Sequence, residues 1–293
     1  PRVQYSLILV IALFVSLLTS KKRINIWNFL CFIALLINLI LIFPLFIPVN
    51  QSNQASDTPP QTIRVIHATL DSKQPDVTKA IEYLNKQETD ILFLLEVTPQ
   101  SLTQFNRGLT NYRLIATQPE YNSHGIAWFI PQEITKPIEL KKAEFITLPI
   151  YSNRALLKAT ISYDGREMVL LCFHVISPRN AETVAYQEIE FDALANWSLL
   201  HLQKSKQDLI VIGDFNSTPW YGPFRQLLNK SGLINSQRGF GIQTTWHSTF
   251  PPIFRIPIDN CLHSKSLTTV RRFIGENIGS DHLPLFVELK LGS

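Results

Sequence analysis

The sequence contains little cysteine. Three cysteines occur among the 293 residues, and no spacing between them is typical of a zinc site. Cys31 lies in a long apolar segment, whereas Cys172 and Cys261 could form a disulfide if the fold brought them together. Two buried thiols are the simpler interpretation of that pair. The cysteine spacing therefore gives no indication of a zinc site.

An excess of charge of one sign is also lacking outside the N-terminal region. The formal net charge is +4, but the first 60 residues hold four of the 27 basic residues and one of the 23 acidic residues, which leaves 23 and 22. Domains that bind duplex nucleic acid usually carry a strong basic excess. No insertion rich in arginine and aromatic residues occurs, and the pairs Lys141-Lys142 and Arg271-Arg272 are typical of solvated surfaces. The charge disfavours nucleic acid as a partner but does not exclude it.

Long apolar runs are confined to the first fifty residues. Val3 to Thr19 is almost wholly apolar, the basic triplet Lys21-Lys22-Arg23 follows, and Ile24 to Val49 is apolar again. A membrane-spanning helix needs roughly 20 such residues. No cleavage site typical of a signal peptide follows the runs. We predict a membrane anchor over residues 1–50 with spans at about 3–20 and 24–49. A buried core hairpin is the alternative.

The basic triplet predicts the orientation of this anchor. Lysine and arginine are retained on the cytoplasmic side, so everything after residue 50 is expected outside the cell membrane. Residues 51–61 are polar and contain Pro59-Pro60, which indicates an extended linker. Residues 62–291 are long enough for one domain with a sizeable core. Because the chain begins at Pro1 rather than Met, we expect a further segment upstream.

The part after the linker alternates between strand and helix patterns. Asp164-Gly165 between two apolar runs predicts a hairpin, and the mixture as a whole predicts an α/β or α+β domain. The predicted strands are Ile63–Ala68, Ile91–Leu95, Tyr112–Ala116, Ile126–Ile130, Ala155–Ile161, Met168–His174, Leu209–Gly213, Ile256–Asp259, Leu267–Arg271 and Leu285–Leu289. The predicted helices begin near Asp76, at Ala181 and at Pro223, and the second carries Tyr186, Ile189, Ala193, Trp197 and Leu200 on its apolar face.

Ionisable and amide side chains recur next to the predicted strands. Glu96, His174, Asp214 with Asn216, Asp259, and Asp281 with His282 all lie at strand ends. Each alone has a simpler explanation, such as a turn, a cap or a core histidine. Together they are costly to bury unless they pair or bind a metal ion. This combination is typical of metal-assisted attack of water on a phosphate ester.

The same residues lie in motifs that resemble a known family. The motifs are Leu95-Glu96-Val97, Phe173-His174-Val175, Gly213-Asp214-Phe215-Asn216-Ser217-Thr218-Pro219, Thr245-Trp246, Arg255-Ile256-Pro257-Ile258-Asp259 and Ser280-Asp281-His282-Leu283-Pro284. In this order the chain resembles the endonuclease/exonuclease/phosphatase superfamily, which includes deoxyribonuclease I-like and exonuclease III-like enzymes. The resemblance implies a four-layer sandwich of two mixed β-sheets flanked by helices. It also implies phosphoester hydrolysis with one or two Mg²⁺ ions, with Mn²⁺ as an alternative.

The resemblance also implies roles for the carboxylates and the asparagine. Glu96 would be the principal metal ligand, and Asp281 would lie on the metal side. Asp214 would orient and deprotonate the attacking water. Asn216 would support Asp214 and contact the phosphate.

Imidazole and guanidinium groups would serve the phosphate. On the same resemblance, His282 would contact the phosphate oxygens, and Asp259 would fix its tautomer and raise its pKa. His174 would face the transition-state phosphate or the leaving oxygen. Arg154 matches a position that often carries a basic residue for the substrate, although a surface arginine is an equally good interpretation.

Thr69 departs from the family pattern. The family has an asparagine on the first strand that helps to place metal and phosphate, and this chain has Thr69 there. A threonine offers a hydroxyl but no amide, so Thr69 would contact the metal through water, or His67 would compensate. Because of this departure, a catalytically degenerate member of the family stays an alternative.

Three functions follow from these observations. The first is a membrane-tethered, metal-dependent phosphoester hydrolase that acts on phosphate esters at the membrane surface, such as lipid-linked phosphates; the arrangement resembles a membrane-anchored bacterial subgroup of the family. The second is a tethered extracytoplasmic endonuclease or exonuclease. The third is a binding module that has lost activity.

Overall fold

The computed structural model describes residues 2–19, 26–48, 61–205 and 207–292. The basic triplet at residues 21–23 and nearly all of the predicted linker lie outside the described residues. The predictions made for those two segments are therefore not addressed by the fold.

Two apolar helices form an antiparallel pair at the N-terminal end. They are α1 (Arg2–Thr19) and α2 (Ile26–Ile42), and a short 3₁₀ helix, Phe43–Phe46, extends the second. Arg2 donates to Asn38 at 3.1 Å and Ser16 donates to Asn28, which fixes the antiparallel arrangement. Most of their apolar side chains are exposed. Arg2–Thr19 and Ile26–Phe46 are long and apolar enough to cross a membrane, by length and composition alone.

The rest of the described chain contains four further α-helices, a short 3₁₀ helix at Pro252–Phe254 and twelve strands. The helices are α3 (Thr78–Asn85), α4 (Pro99–Gly108), α5 (Ala181–Lys204) and α6 (Gly222–Ser231). The strands are β1 (Thr62–Thr69), β2 (Ile91–Leu95), β3 (Tyr112–Gln118), β4 (Ile126–Pro131), β5 (Ile138–Ile146), β6 (Leu156–Tyr163), β7 (Arg166–His174), β8 (Asp208–Asp214), β9 (Ile234–Asn235), β10 (Asp259–His263), β11 (Leu267–Ile274) and β12 (Leu285–Leu291).

The strands form two six-stranded mixed sheets that face each other. The first has the order β11-β12-β1-β2-β4-β3 and the second β5-β6-β7-β8-β10-β9. Each contains one parallel pair, β1 with β2 and β7 with β8, and the other pairs are antiparallel. Apolar side chains from both sheets, including Phe93, Trp128 and Ile212, fill the space between them.

Helices cover the outer faces of both sheets. Leu84 of α3 and Phe105 of α4 pack on the first sheet, and Phe191 of α5 and Phe224 of α6 pack on the second. Helix, sheet, sheet and helix therefore form the four layers that the family resemblance implied.

The central strands are apolar on both faces because both faces are covered. All five residues of β2 and all seven of β8 are buried, as expected for strands next to a parallel neighbour. Cys172 and Cys261 both lie beside Ile212 on β8, one on each neighbouring strand, so a whole strand separates them. Both are free thiols, which confirms the simpler interpretation of that pair.

Three elements were not predicted and one strand was misplaced. The sequence analysis did not assign β5, the two-residue strand β9 or α4, although Thr98, directly before Pro99, forms a capping box with Ser101. The predicted strand Ile256–Asp259 is wrong, because the strand begins at Asp259. Pro257 offers no N–H for a ladder, and Ile256 forms only an isolated bridge with Trp246.

The predicted apolar face of α5 was also wrong, by one residue. Ile189 and Leu200 are exposed, whereas the buried side chains are Gln187, Glu190, Phe191, Leu194, Ala195 and Ser198. The face was misassigned because its buried members include an amide and a carboxylate. Both of these polar side chains contact loops at the candidate site.

Gly213 provides a test of the packing between β7 and β8. A Cβ atom at this position would lie 1.9 Å from the carbonyl oxygen of Phe173. Gly213→Ala should therefore lower the free energy of unfolding by about 3 kcal/mol, as measured by chemical denaturation of the full chain. Gly222→Ala is the control, because a Cβ there meets nothing within 4 Å. We expect that control to change stability by no more than about 1 kcal/mol; equal midpoints for both variants would contradict the prediction.

Candidate functional site

Polar side chains from both sheets meet in the space between them, at one end of the sandwich. Strand residues alternate between faces, so the inward positions follow a period of two. On β1 the apolar residues Ile63 and Val65 face the inter-sheet core, and the pattern continues with His67 and Thr69. On β7, β8 and β10 the inward positions at the same end are His174, Asp214 and Asp259. The alternation that builds the core therefore also directs these groups towards one another.

Asp214 and Asn216 form a fixed pair after β8. Asp214 Oδ1 accepts a hydrogen bond from the backbone N–H of Asn216 at 2.7 Å, and Oδ2 accepts one from the side-chain Nδ2 of Asn216 at 2.9 Å. Asn216 adopts a left-handed backbone with φ 45°, which asparagine tolerates. Its side chain also donates to the carbonyl of Val175 at 2.9 Å. These contacts leave the Asp214 carboxylate little rotational freedom.

Asp259 connects the two sheets at this end. Its Oδ2 lies 2.9 Å from Nδ1 of His282. Its Oδ1 lies 3.1 Å from Nε2 of His67 and accepts a hydrogen bond from the Thr69 hydroxyl at 3.3 Å. All four side chains are buried. Since Asp259 belongs to the second sheet and His67 and Thr69 to the first, the carboxylate joins the two halves of the domain.

The pKa values in this network follow from burial and charge. Burial alone would raise the pKa of Asp259, but the charge and hydrogen bonds of His282 and His67 lower it well below its usual range. Burial would lower the pKa of His282, but Asp259 and Asp214 raise it to about 10. Burial and the charge of Asp259 raise the pKa of Asp214 to about 8, against the opposing charge of His282. His282 is therefore an imidazolium at neutral pH.

Two imidazoles flank the Asp214 carboxylate. Nε2 of His174 lies 3.6 Å and Nε2 of His282 lies 3.9 Å from Asp214 Oδ2. Burial lowers the pKa of His174 well below its usual value, and the positive charge of Arg154 lowers it further, so His174 is neutral. Its Nδ1 is buried and has no hydrogen-bond partner among the described residues. The site thus combines one charged and one neutral imidazole on either side of a carboxylate.

Arg154 is buried beside this group rather than on the surface. Its side chain is only 11% exposed, and Nε lies 3.4 Å from the Glu190 carboxylate of α5. Its Nη2 donates to the carbonyl of His174 at 3.0 Å, and Nη1 lies 2.8 Å from Nε2 of His124. Burial raises the pKa of Glu190 to about 7, although the Ile176 amide and Arg154 oppose that shift.

Glu96 and Asp281 bring two more carboxylates to the same end. Glu96 directly follows β2 with a left-handed φ of 59°, a strained conformation for a non-glycine residue. It accepts a hydrogen bond from the Ser72 amide at 3.2 Å. Asp281 accepts one from Nε1 of Trp246 at 3.0 Å. Burial raises the pKa of Glu96, and the negative charge of Asp281 also acts to raise it.

These carboxylates provide oxygen ligands suited to a hard divalent cation. The charge of Asp281 acts on Glu96, and the charge of Glu96 acts on Asp214, so each negative charge opposes the ionisation of the neighbouring carboxyl group. Oxygen ligands of this kind suit Mg²⁺ or Mn²⁺, and such an ion would remove the repulsion. Ligand atoms of Asp214, Asp259 and His282 also lie within 4.8 Å of one another, and the hydrogen bond between Asp259 and His282 accounts for part of that closeness.

The structure places every predicted site residue at this end of the sandwich. These residues are Thr69, Glu96, Arg154, His174, Asp214, Asn216, Asp259, Asp281 and His282. The Thr69 hydroxyl contacts Asp259 and His67. Their roles remain predictions. Sequence reasoning did not identify His124, Gln187 or Glu190 as members of the group. The carboxylate and amide within the apolar pattern of α5 were the available signal for the last two.

Solved structures with the same fold share little sequence with this chain. An endonuclease/exonuclease/phosphatase family protein from Bacteroides thetaiotaomicron is 15% identical, with a TM-score of 0.64, and the match covers 80% of this chain and 100% of that one. TDP2 from D. rerio, solved with a single-strand DNA product, is 16% identical with a TM-score of 0.62, covering 78% and 99%. The human Nocturnin catalytic domain with bound sulfate is 20% identical with a TM-score of 0.61, covering 78% and 94%. At these identities the likeness concerns the fold alone.

Sequence comparison gives the family. No curated protein matches the chain. The profile of the Endonuclease/Exonuclease/phosphatase family, in contrast, matches residues 25–282. Members of that family are phosphoester-cleaving hydrolases that depend on divalent metal ions. With the two-sheet sandwich and the match over most of its length, this chain belongs to the endonuclease/exonuclease/phosphatase family.

Proposed function

We propose that the chain is a membrane-tethered, divalent-metal-dependent phosphoester hydrolase. The observation that carries the proposal is the position of Asp214, which Asn216 holds in place between a neutral and a charged imidazole. Such an arrangement suits a group that takes a proton from water next to a phosphate. A binding module without activity has no need of this costly cluster.

The metal ion would be held mainly by Glu96 and Asp281. Their carboxylates provide the oxygen ligands that a hard cation prefers. When bound, the ion supplies neutralisation of the negative charge on the phosphate oxygens. Thr69 stays a candidate for a water-mediated contact, although its hydroxyl donates to Asp259.

The protein side chains would provide the proton transfer and the stabilisation of charge. In the proposed reaction the oxygen of a water molecule forms a bond to phosphorus, and one of its protons passes to Asp214. Asp214 must be ionised for this step, and the positive charge of a bound cation would lower its pKa from about 8. The bond between phosphorus and the leaving oxygen breaks, and that oxygen keeps the electron pair and takes a proton from solvent. The His282 imidazolium donates to the phosphate oxygens, where negative charge increases in the transition state. Asn216 acts through Asp214, because its side chain already donates to Asp214 and to the carbonyl of Val175. The unpartnered Nδ1 of His174 and the nearby Arg154 complete the substrate side.

The N-terminal helices support the tether and its orientation. Gln4 of α1 and Leu45 of the 3₁₀ helix Phe43–Phe46 contact the domain, so Thr19 and Ile26, which flank the basic triplet in the sequence, lie at the opposite ends of the two helices. If that triplet is cytoplasmic, the domain lies outside the cell membrane.

A tethered nuclease is the second candidate function. The observation that favours it is the fold shared with D. rerio TDP2, whose structure contains a single-strand DNA product. The nearly balanced charge of the domain opposes it, because nucleic-acid-binding surfaces are usually basic.

Removing the Asp214 carboxylate tests the proposed base. Asp214→Ala should reduce hydrolysis at least ~100-fold, because a positioned acid or base contributes a factor of that order. The assay gives the full chain Mg²⁺ and, in separate reactions, a lipid pyrophosphate, a diester dye and plasmid DNA. Circular dichroism checks that the variant folds.

The matched control is Asp192→Ala on α5. Asp192 is an exposed carboxylate in a surface ion pair with Lys230, so its loss should leave turnover unchanged. Unchanged turnover in folded Asp214→Ala would refute the role of Asp214. Nicking of plasmid DNA without turnover of the other substrates would favour the nuclease.

Glu96 is the test of the metal site. Chelation of divalent ions should abolish turnover and added Mg²⁺ should restore it. Glu96→Gln should raise the Mg²⁺ concentration for half-maximal turnover about 10- to 100-fold, because an amide replaces a charged ligand. Glu182→Gln, at an exposed position of α5, should not change that concentration. Identical Mg²⁺ titrations of the two variants would exclude Glu96 as the main ligand.

The charge of His282 can be followed by pH titration. Its folded pKa of about 10 exceeds the ordinary 6.5, so its charged form stabilises the fold fully below pH 6.5, and this contribution is lost as pH rises through about 10. Imidazole NMR signals, assigned by comparison with His282→Gln, should show a cationic ring at pH 8. In Asp259→Asn the ring should be neutral at pH 8, because burial lowers the pKa of His282 and the charge of Asp259 no longer raises it. A wild-type ring that titrates near 6.5 would contradict this assignment.

A further inference from the structure

Exposed apolar side chains cluster in the loops at the site end of the sandwich. Tyr121 lies between β3 and β4, Ile150 and Tyr151 lie between β5 and β6, and Phe250, Ile253 and Phe254 lie between β9 and β10. We call these six residues the apolar rim. Tyr121 and Ile150 are 88% and 89% exposed, which is costly for side chains in water.

The loops of the apolar rim belong to the site by connectivity and by contacts. The three loops leave or enter the sheets at the end where β1, β2, β7 and β8 finish. His124, in the loop of Tyr121, lies 2.8 Å from Arg154, in the loop of Ile150 and Tyr151, and Arg154 in turn donates to the carbonyl of His174. The third loop also contains Trp246, which donates to Asp281.

The opposite end of the sandwich differs. Among the described residues of its loops, Ile134 is the one large apolar side chain that is exposed. Ion pairs such as Arg64 with Glu88, and Lys136 with Asp90, lie at that end instead. The apolar character is therefore a property of the site end and not of the loops in general.

The apolar helices meet the domain beside the apolar rim. Gln4 of α1 donates to the carbonyls of Ile253 and Arg255, at 2.8 and 3.3 Å. At the end of α2, the carbonyl of Leu45 accepts hydrogen bonds from the amides of Gly239 and Gly241. These contacts fix the ends of both helices against the loop that carries Phe250, Ile253 and Phe254.

The loop that follows Asp214 also contacts the N-terminal helical segment. Trp220 lies six residues after Asp214, and it is buried against Ile42 and Leu45 of the helical segment. If α1 and α2 cross the bilayer, their ends at Gln4 and Leu45 mark its surface, and the site end of the domain lies directly at that level. Tyrosine and other amphipathic aromatic side chains prefer this interfacial region.

We propose that the apolar rim lies in the surface of the bilayer and that the site takes a phosphate carried by a membrane lipid. The proposal rests on the hydrolase function above and adds the source of its substrate. The occupant of the apolar rim is the lipid surface itself, because the same end of the domain is continuous with two helices suited to a membrane. A lipid phosphate would reach Asp214 by diffusion in the membrane plane, without leaving the bilayer.

Site-specific probes test the position of the apolar rim. Ile150→Cys in the full chain would carry an environment-sensitive fluorophore, and the chain would be reconstituted in phosphatidylcholine vesicles with or without nitroxide-labelled lipid. The native cysteines are buried, so labelling is selective. The matched control is Ile134→Cys, at the opposite end. We expect strong quenching at position 150 and none at 134; equal quenching at both positions would overturn the proposal.

A comparison of substrates tests the lipid source. The double variant Ile150→Ser with Tyr151→Ser and the control Ile134→Ser would be given a long-chain lipid pyrophosphate in vesicles and a short-chain, water-soluble analogue with the same scissile bond. We expect the double variant to lose at least about tenfold on the long-chain substrate alone, and the control to lose nothing.

The outcomes separate this proposal from the hydrolase function. An equal loss on both substrates, or no loss on either, would overturn the role of the apolar rim while the hydrolase stands. A wild-type chain that cleaves the diester dye but neither of these two substrates would refute the lipid substrate while the hydrolase stands, whereas a chain inactive on all of them would refute both. The fluorescence quenching would then still decide on its own whether the apolar rim contacts lipid.

Discussion

The pairing of one buried carboxylate, Asp259, is the constraint on which the site depends. A charge in this position is tolerated only because His282, His67 and Thr69 all contact it. The contacts come from both sheets, so the separation of the sheets and the orientation of His282 are set together. That orientation places a cationic imidazole beside Asp214, and the balance of charge in the whole cluster follows from it.

Thr69, where the family has an asparagine, takes part in the pairing of Asp259. An amide side chain there would offer both donors and an acceptor, whereas the Thr69 hydroxyl donates to Asp259 and lies 3.2 Å from Nε2 of His67. The two β1 side chains thus act together on Asp259. This arrangement explains physically how a chain with threonine at this position keeps the neighbouring Asp259–His282 pair intact.

The fold and the main site residues could be predicted from the sequence because the patterns that indicate them are local and strong. Continuous apolar runs such as Ile91–Leu95 and Leu209–Gly213 mark strands covered on both faces, and the polar residues after them lie at the strand ends. The hairpin at Asp164-Gly165 was confirmed, with φ values of 50° and 80° at its two central residues. What the sequence could not reveal were partners distant in the chain, such as Glu190 with Arg154.

The errors share a physical cause. The face of α5 was misassigned because Gln187 and Glu190 are buried for the sake of polar contacts with the loops, and a hydrophobic pattern does not register such residues. The strand before Asp259 was misplaced because Pro257 interrupts an apolar run without changing its hydropathy. In both cases the capacity for hydrogen bonding, which hydropathy does not measure, determined the structure.

The two thiols beside Ile212 have a consequence for the environment in which the protein works. Burial raises the pKa of Cys172, and it raises that of Cys261 to about 12, so neither forms the thiolate that oxidants attack. The two thiols of the folded domain should therefore stay unmodified in an oxidising as well as in a reducing compartment. Chemical modification of either cysteine would therefore indicate that the sandwich has opened.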